Sequence, residues 1–142
     1  LRRENNFYFV SGKGRLLQLL LSMENQNKTL EIARGFLGKK VTLVFDRPLG
    51  SKHPKHGFVY EVNYGYIPGV MAADGEELDA YYLGTQEALE KTNGVAVAII
   101  HRENDDDDKL VVVPEGVEIS DEEIVKATHF QERFFKSVIV RK

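Results

Sequence analysis

The chain has 142 residues, 42% hydrophobic and 29% charged, the balance of a globular protein with a single core. A net charge of −3 excludes a nucleic-acid binder held by a lysine and arginine surplus, while a small polyanion stays admissible because bound metal ions reverse the local field. With no cysteine there is neither a disulfide nor a thiolate ligand, and the plain reading is a cytoplasmic protein.

Residues 1–22 read as a leader outside the fold, with Met23 as the start of a single domain over 23–142. Their one strong feature, Leu16-Leu17-Gln18-Leu19-Leu20-Leu21, is too short to span a bilayer, so no membrane partner is expected. No signal-peptide cleavage pattern follows, and Glu4 sits where a basic region belongs. Gly12-Lys13-Gly14 lacks the remaining spacing of a phosphate loop. From Asn25 to Leu37, Leu30, Ala33, Phe36 and Leu37 recur near helical spacing before Gly38. Lys40–Phe45 is a β-branched strand ended by Asp46-Arg47-Pro48-Leu49-Gly50-Ser51, and residues 50–57 form a basic loop.

Two aromatic, β-prone runs within residues 58–84 then flank a loop that carries Asp74, Glu76, Glu77 and Asp79. Gly94–Ile100 and Lys109–Pro114 are buried-strand patterns joined by the acidic tip 103–108. Ser120-Asp-Glu-Glu123 is a capping box, and Ile124, Ala127, Phe130 and Phe134 form a stripe, which predicts a helix over 121–136. Ser137–Val140 reads as an edge strand. The fold class is mainly β: a small closed or nearly closed barrel with helical cover.

Four carboxylates within six residues need a counter-charge. Held between strands they converge on a hard divalent cation, for which Mg²⁺ is the natural candidate, since it takes oxygen ligands and is completed by substrate phosphates; the bland reading of such a run is a solvated acidic turn. Arg47, Lys52 and Lys55 supply cations near the loop, as phosphate recognition requires. His53 and His56, three apart with a proline between, read as surface loop rather than metal ligands.

Tyr60-Glu-Val-Asn63-Tyr64-Gly-Tyr66-Ile-Pro68-Gly, followed by Asp74-Gly75-Glu76-Glu77-Leu78-Asp79, resembles the soluble inorganic pyrophosphatase family of the small-barrel, Mg²⁺-dependent type, over roughly residues 41–140. The resemblance implies a five-stranded, oligonucleotide-binding-like (OB-like) barrel with the active site at its mouth, and Mg²⁺-dependent hydrolysis of pyrophosphate to two phosphates. It implies metal ligation by Asp74, Asp79 and Asp107, proton abstraction from the attacking water by Glu76, contact of Tyr64 with water or phosphate, and substrate binding by Lys109. Tyr60 and Tyr66 read as core or rim aromatics. Upstream two registers stay open. In one, Arg47 binds phosphate; in the other, Asp46 replaces a site glutamate and Lys52 or Lys55 is the phosphate-binding lysine. Homo-oligomers are common in the family.

Several positions depart from the family pattern. Glu76 is one methylene longer than the family's aspartate, and Glu77 replaces a proline and is expected to face solvent. Arg102 stands where a second metal-binding aspartate belongs, so that either Glu103 or Asp105 substitutes or one metal site is missing. Phe134-Phe135-Lys136 lacks the hydroxyl of a phosphate-holding tyrosine–lysine pair, with Arg133 the candidate to compensate. These departures support an alternative: a metal-dependent pyrophosphate or nucleotide-phosphate binding module with weak or no turnover.

Overall fold

β-Branched and aromatic residues recur in six segments of the chain, and each becomes a strand. The structure, a computed structural model, describes residues 28–103 and 107–142 together with Leu16, Leu17 and Leu20. A helical stretch at residues 28–34 (α1) precedes β1 (Lys40–Arg47), β2 (Asn63–Met71), β3 (Glu77–Tyr82), β4 (Lys91–Arg102) and β5 (Lys109–Val113). A second helix, α2 (Asp121–Glu132), and β6 (Ser137–Val140) complete the order.

The strands run β1-β2-β3-β5-β4, and β4 pairs back onto β1, from Lys40 opposite Val95 to Val44 opposite Lys91, which closes a five-stranded barrel. Closure removes the open sheet edges that five short strands would otherwise expose. At 12 residues β4 outlasts its pairing with β1, and its last four residues pair with β6 outside the barrel. β3 and β5 are parallel, with Asp79 opposite Lys109 and Tyr82 opposite Val112; every other strand pair is antiparallel.

Period-2 alternation divides the interior into two clusters. Leu78, Ala80 and Tyr82 join Leu43, Phe45, Leu110 and Val112, with Ala33 of α1 and Leu37 packed among them. Tyr81 and Leu83 face the other way, and with Tyr64, Val111 and Val113 they meet Ile124 and Phe130 of α2.

Two residues of the Asn-Tyr-Gly-Tyr run serve this architecture. The buried Asn63 side chain accepts the Leu49 and Leu89 amides at 2.9 and 3.1 Å and donates to the Glu87 carbonyl at 2.8 Å, tying two loops to the start of β2. Gly65 lies where β1 crosses closely: a Cβ there would stand 1.9 Å from the Val44 carbonyl oxygen, at the irregularity between Val44 and Arg47.

The expected helix over 121–136 stops at Glu132, with Arg133 as its C-cap. Phe135 leaves the helical path to stack against Arg102, and Phe134, expected on the stripe, is 49% exposed. At the other end Ser120 Oγ accepts the Glu123 amide as the capping box requires. The strands at 40–45 and 94–100 extend to Lys40–Arg47 and Lys91–Arg102. Residues 1–22, expected to be a leader, and the tip residues 104–106, Asp105 included, lie outside the described residues apart from Leu16, Leu17 and Leu20, which are exposed. Among the described residues, no helix is long and apolar enough to cross a membrane.

Candidate active site

The parallel register of β3 and β5 places Asp79 beside Lys109 on the face covered by α2. Both are buried, at 7% and 0% exposure, so neither charge is tolerable alone. Lys109 Nζ lies 2.6 Å from Asp79 Oδ2 and 2.6 Å from Asp107 Oδ2. One ammonium therefore occupies the point on which two carboxylates, from β3 and from the approach to β5, converge. The Tyr64 ring, packed against Tyr60 and Tyr81 with centroids 5.4 and 4.9 Å away, has Nζ 5.5 Å from its centre.

A second buried cation stands behind this corner. Arg102, at the end of β4, is fully buried; its Nε and Nη2 donate to the two oxygens of Glu132 at 3.0 and 2.7 Å. Its Nη1 lies 3.6 Å from Asp107 Oδ2, and the Phe135 ring covers the guanidinium 3.6 Å from its centroid. The fork geometry fits arginine and not lysine. From Glu132 a chain of hydrogen bonds crosses beneath the helix. Tyr81 OH donates to Glu132 Oε2 at 2.6 Å, Gln131 Nε2 donates to Tyr81 OH at 2.6 Å, and Tyr60 OH donates to Gln131 Oε1 at 2.7 Å. Arg47 Nη1 in turn donates to Tyr60 OH at 3.1 Å.

Electrostatics keep these groups ionised. Burial alone would push Lys109 down, but the Asp107 carboxylate outweighs it and the ammonium is held above its usual range. Burial likewise opposes the charge on Arg102, and Glu132 overcomes it. For Glu132, burial pulls upward and the Arg102 charge and hydrogen bonds pull harder downward, leaving the carboxyl below its ordinary value. Burial raises Tyr60 and Tyr81, so both phenols stay protonated as donors. Asp108, turned away, is pushed up by burial; it faces His101 Nδ1 at 3.0 Å, accepts the Arg102 amide at 3.1 Å, and so pins the base of the β4–β5 hairpin.

The remaining expected residues occupy a more exposed rim. Asp74 and Glu76 are half-buried in the turn between β2 and β3, where Asp74 Oδ1 accepts the Glu76 amide at 2.9 Å. Asp46 is exposed at the end of β1, and Lys52 and Lys55 are exposed on the basic loop. Of the residues expected to act on substrate, the structure brings together Asp79, Asp107, Lys109 and Tyr64, and it links Arg47 to them through Tyr60, Gln131 and Tyr81.

Two other expectations change, those for His53 and Glu77. His53 is not a surface residue: it is 3% exposed, its Nδ1 accepts the Lys55 and His56 amides at 3.1 Å, and it stacks on Phe58 and Tyr60, which makes it the loop's internal anchor. Glu77 does not merely face solvent, since its Oε2 accepts the Gly69 amide at 3.0 Å. Arg133 lies against the exposed Phe134, 4.8 Å from its ring centre. Glu103 is exposed and pairs with Lys136 at 3.4 Å.

Sequence reasoning missed Glu132, Gln131, Tyr81 and the hydroxyl of Tyr60. One signal was present: Gln131 falls seven residues after Ile124, on the buried side of the helix, where a polar residue demands a partner.

The donor set of the corner fits a hard cation in part. Asp79 and Asp107 present carboxylate oxygens to one point, and Lys109 already fills it with positive charge. Mg²⁺ accepts one or two protein carboxylates when water and phosphate complete its shell. Among the described residues no three His, Asp or Glu side chains gather to hold a metal by themselves.

Comparison with known proteins bears on the fold and the family. No curated protein matches the chain significantly by sequence. Among solved structures, the inorganic pyrophosphatase from Ehrlichia chaffeensis superposes with a TM-score of 0.56 at 16% identity, covering 71% of this chain and 84% of its own. The Helicobacter pylori pyrophosphatase gives 0.56 at 17% identity, covering 72% and 85%, and the Thermus thermophilus enzyme 0.54 at 20%, covering 72% and 82%; at these identities the likeness is one of fold. The family model for inorganic pyrophosphatase matches residues 23–139, and with well over half of the chain inside that match the protein belongs to the inorganic pyrophosphatase family.

Proposed function

We propose that the chain hydrolyses inorganic pyrophosphate to two phosphates with Mg²⁺ as cofactor. It is an inorganic diphosphatase, a hydrolase of a phosphoanhydride, as its family membership gives. The observation that carries the site assignment is the buried corner in which Asp79 and Asp107 converge on Lys109.

Asp79 and Asp107 would hold Mg²⁺ at the corner, with Asp74 on the turn before β3 and Asp46 near the end of β1 as outer candidates. When bound, the ion supplies positive charge to the phosphate oxygens and lowers the pKa of water. Lys109 and Arg47 orient the phosphates, and Lys52 and Lys55 attract the polyanion from the basic loop. Glu76 takes a proton from the attacking water, and the Tyr64 phenol orients that water or the phosphate it attacks. Water adds to one phosphorus, the bond from that phosphorus to the bridging oxygen breaks, and the second phosphate leaves with the bridging oxygen. A cytoplasmic location and a homo-oligomer belong to the same reading, supported by the composition and by the family resemblance respectively.

Phosphate release from pyrophosphate at neutral pH, with Mg²⁺ and with chelator, tests the proposal. Release only with the metal is expected. A rate untouched by chelator overturns the metal mechanism, and binding without turnover establishes the binding-module alternative.

A further inference from the structure

The charge balance of the buried corner bears on how many metal ions it takes. Among the described residues, three carboxylates, Asp79, Asp107 and Glu132, face two cations, Lys109 and Arg102. The formal surplus is one negative charge. Hydrolytic sites that employ two metals set them about 3.5–4 Å apart and need carboxylates for both. Here the space beside Asp107 is taken on one side by the Lys109 ammonium at 2.6 Å and on the other by the Arg102 guanidinium at 3.6 Å.

The two cations differ in how firmly they are held. Lys109 is a flexible chain ending in a point charge, which gives way to a competing ion or follows a phosphate. Arg102 is fixed: Glu132 grips it through two hydrogen bonds, Tyr81 and Gln131 hold Glu132, and Phe135 closes the open face. Its guanidinium is a permanent cation that cannot exchange with solvent and does not lose its proton.

We propose that Arg102, clamped by Glu132 and Phe135, takes the place a second divalent ion would occupy beside Asp107, so that the centre binds one divalent ion per chain. This rests on the pyrophosphatase reading above, since it concerns the metal of that site. Arg102 is a positioning residue and a built-in counter-charge, touching carboxylates and not the reacting atoms. A fixed cation costs no metal-binding free energy at each turnover, but it commits Asp107 to shared use.

The test counts ions without asking for catalysis. Equilibrium dialysis of the full chain with Mn²⁺ and a non-hydrolysable pyrophosphate analogue, methylenediphosphonate, should give one bound Mn²⁺ per chain. Arg102→Lys, which keeps the charge and loses the fork, should leave the count at one. Arg102→Asp, which removes the guanidinium and adds a carboxylate near Asp107 and Glu132, should raise it to two. Two or more ions in the parent protein, or none, overturn the proposal, as does a folded R102D whose count stays at one. Should R102D fail to fold, the parent and R102K counts decide. Phosphate release, measured separately, judges the pyrophosphatase reading: a parent that binds one ion but releases no phosphate would refute turnover and leave the single-ion centre standing.

Discussion

The two faces of β3 and β5 are made by the same strands and solve opposite problems. On one, Leu78, Ala80, Tyr82, Leu110 and Val112 pack against Leu43, Phe45 and Leu37, where stability comes from apolar area removed from water. On the other, one residue along, Asp79, Tyr81 and Lys109 lie with Arg102 and Glu132 beneath α2. That face is just as buried, yet four of these groups, Asp79, Lys109, Arg102 and Glu132, are ionised, each tolerable only through its partners. The difference teaches that burial alone does not separate core from site. A buried charge network adds little net stability over a well-packed apolar one, so its place opposite an ordinary core points to a chemical task.

Truncation on each face is the sharpest way to break this comparison. Glu132→Ala strands the Arg102 guanidinium in the interior and should cost about 3–5 kcal/mol, whereas the isosteric, neutral glutamine should cost less. Leu110→Ala on the apolar face should cost a similar amount, about 2–5 kcal/mol, through cavity formation. The faces part company in the rescue. A second substitution, Arg102→Met in the Glu132→Ala background, should restore stability by removing the stranded charge, and urea titration of the single and double variants reads it out. Failure of the double variant to recover would mean that the Arg102 charge was not what made the loss.

Asp79→Asn acts next, on activity more than on fold. Asp107 still faces Lys109, so the ammonium keeps one partner and the protein should stay folded at reduced stability. Pyrophosphate hydrolysis should fall on the order of 100-fold, about 2.7 kcal/mol of transition-state stabilisation, with weaker apparent Mg²⁺ affinity. A variant with the parent rate and the parent Mg²⁺ requirement would show that the corner is structural.

Acid sharpens the contrast more gently. The folded-state pKa of Glu132 is depressed, so its contribution to stability is present above the unfolded carboxyl value, about 4.3. That contribution is lost as pH falls through the lower folded value. Melting temperature should therefore drop more steeply below about pH 4 in the parent than in Glu132→Gln. Parallel curves for the two proteins would remove Glu132 from the acid response.

The smallest effects belong to the rim and to residues 1–22. Lys52→Ala and Lys55→Ala change exposed side chains and should alter stability by no more than about 0.5 kcal/mol. They should raise the KM for pyrophosphate several-fold at low ionic strength, with the difference shrinking in salt. Removal of residues 1–22 should leave the melting transition cooperative and its midpoint nearly unchanged; a broadened transition would place Leu16–Leu21 in the fold.

Local pattern was enough for the strands, the capped helix and the barrel, because alternation, β-branched runs and Ser120 with Glu123 act over a few residues and each states its own preference. The motif likewise singled out Asp79, and the family resemblance implied Asp107 and Lys109, whose closeness follows once β3 and β5 lie side by side in register. Their partnership with α2 was not legible in this way. Whether Glu132 meets Arg102, thirty residues earlier, depends on the angle at which the helix crosses the barrel and on where it ends, and no local preference states either. Arg102 shows the limit most clearly. In the linear chain it was a ligand position filled by the wrong charge, and only packing supplied Glu132 and Phe135 around it. A buried cation is defined by its neighbours, and those neighbours are chosen by long-range contacts that no window of the sequence contains.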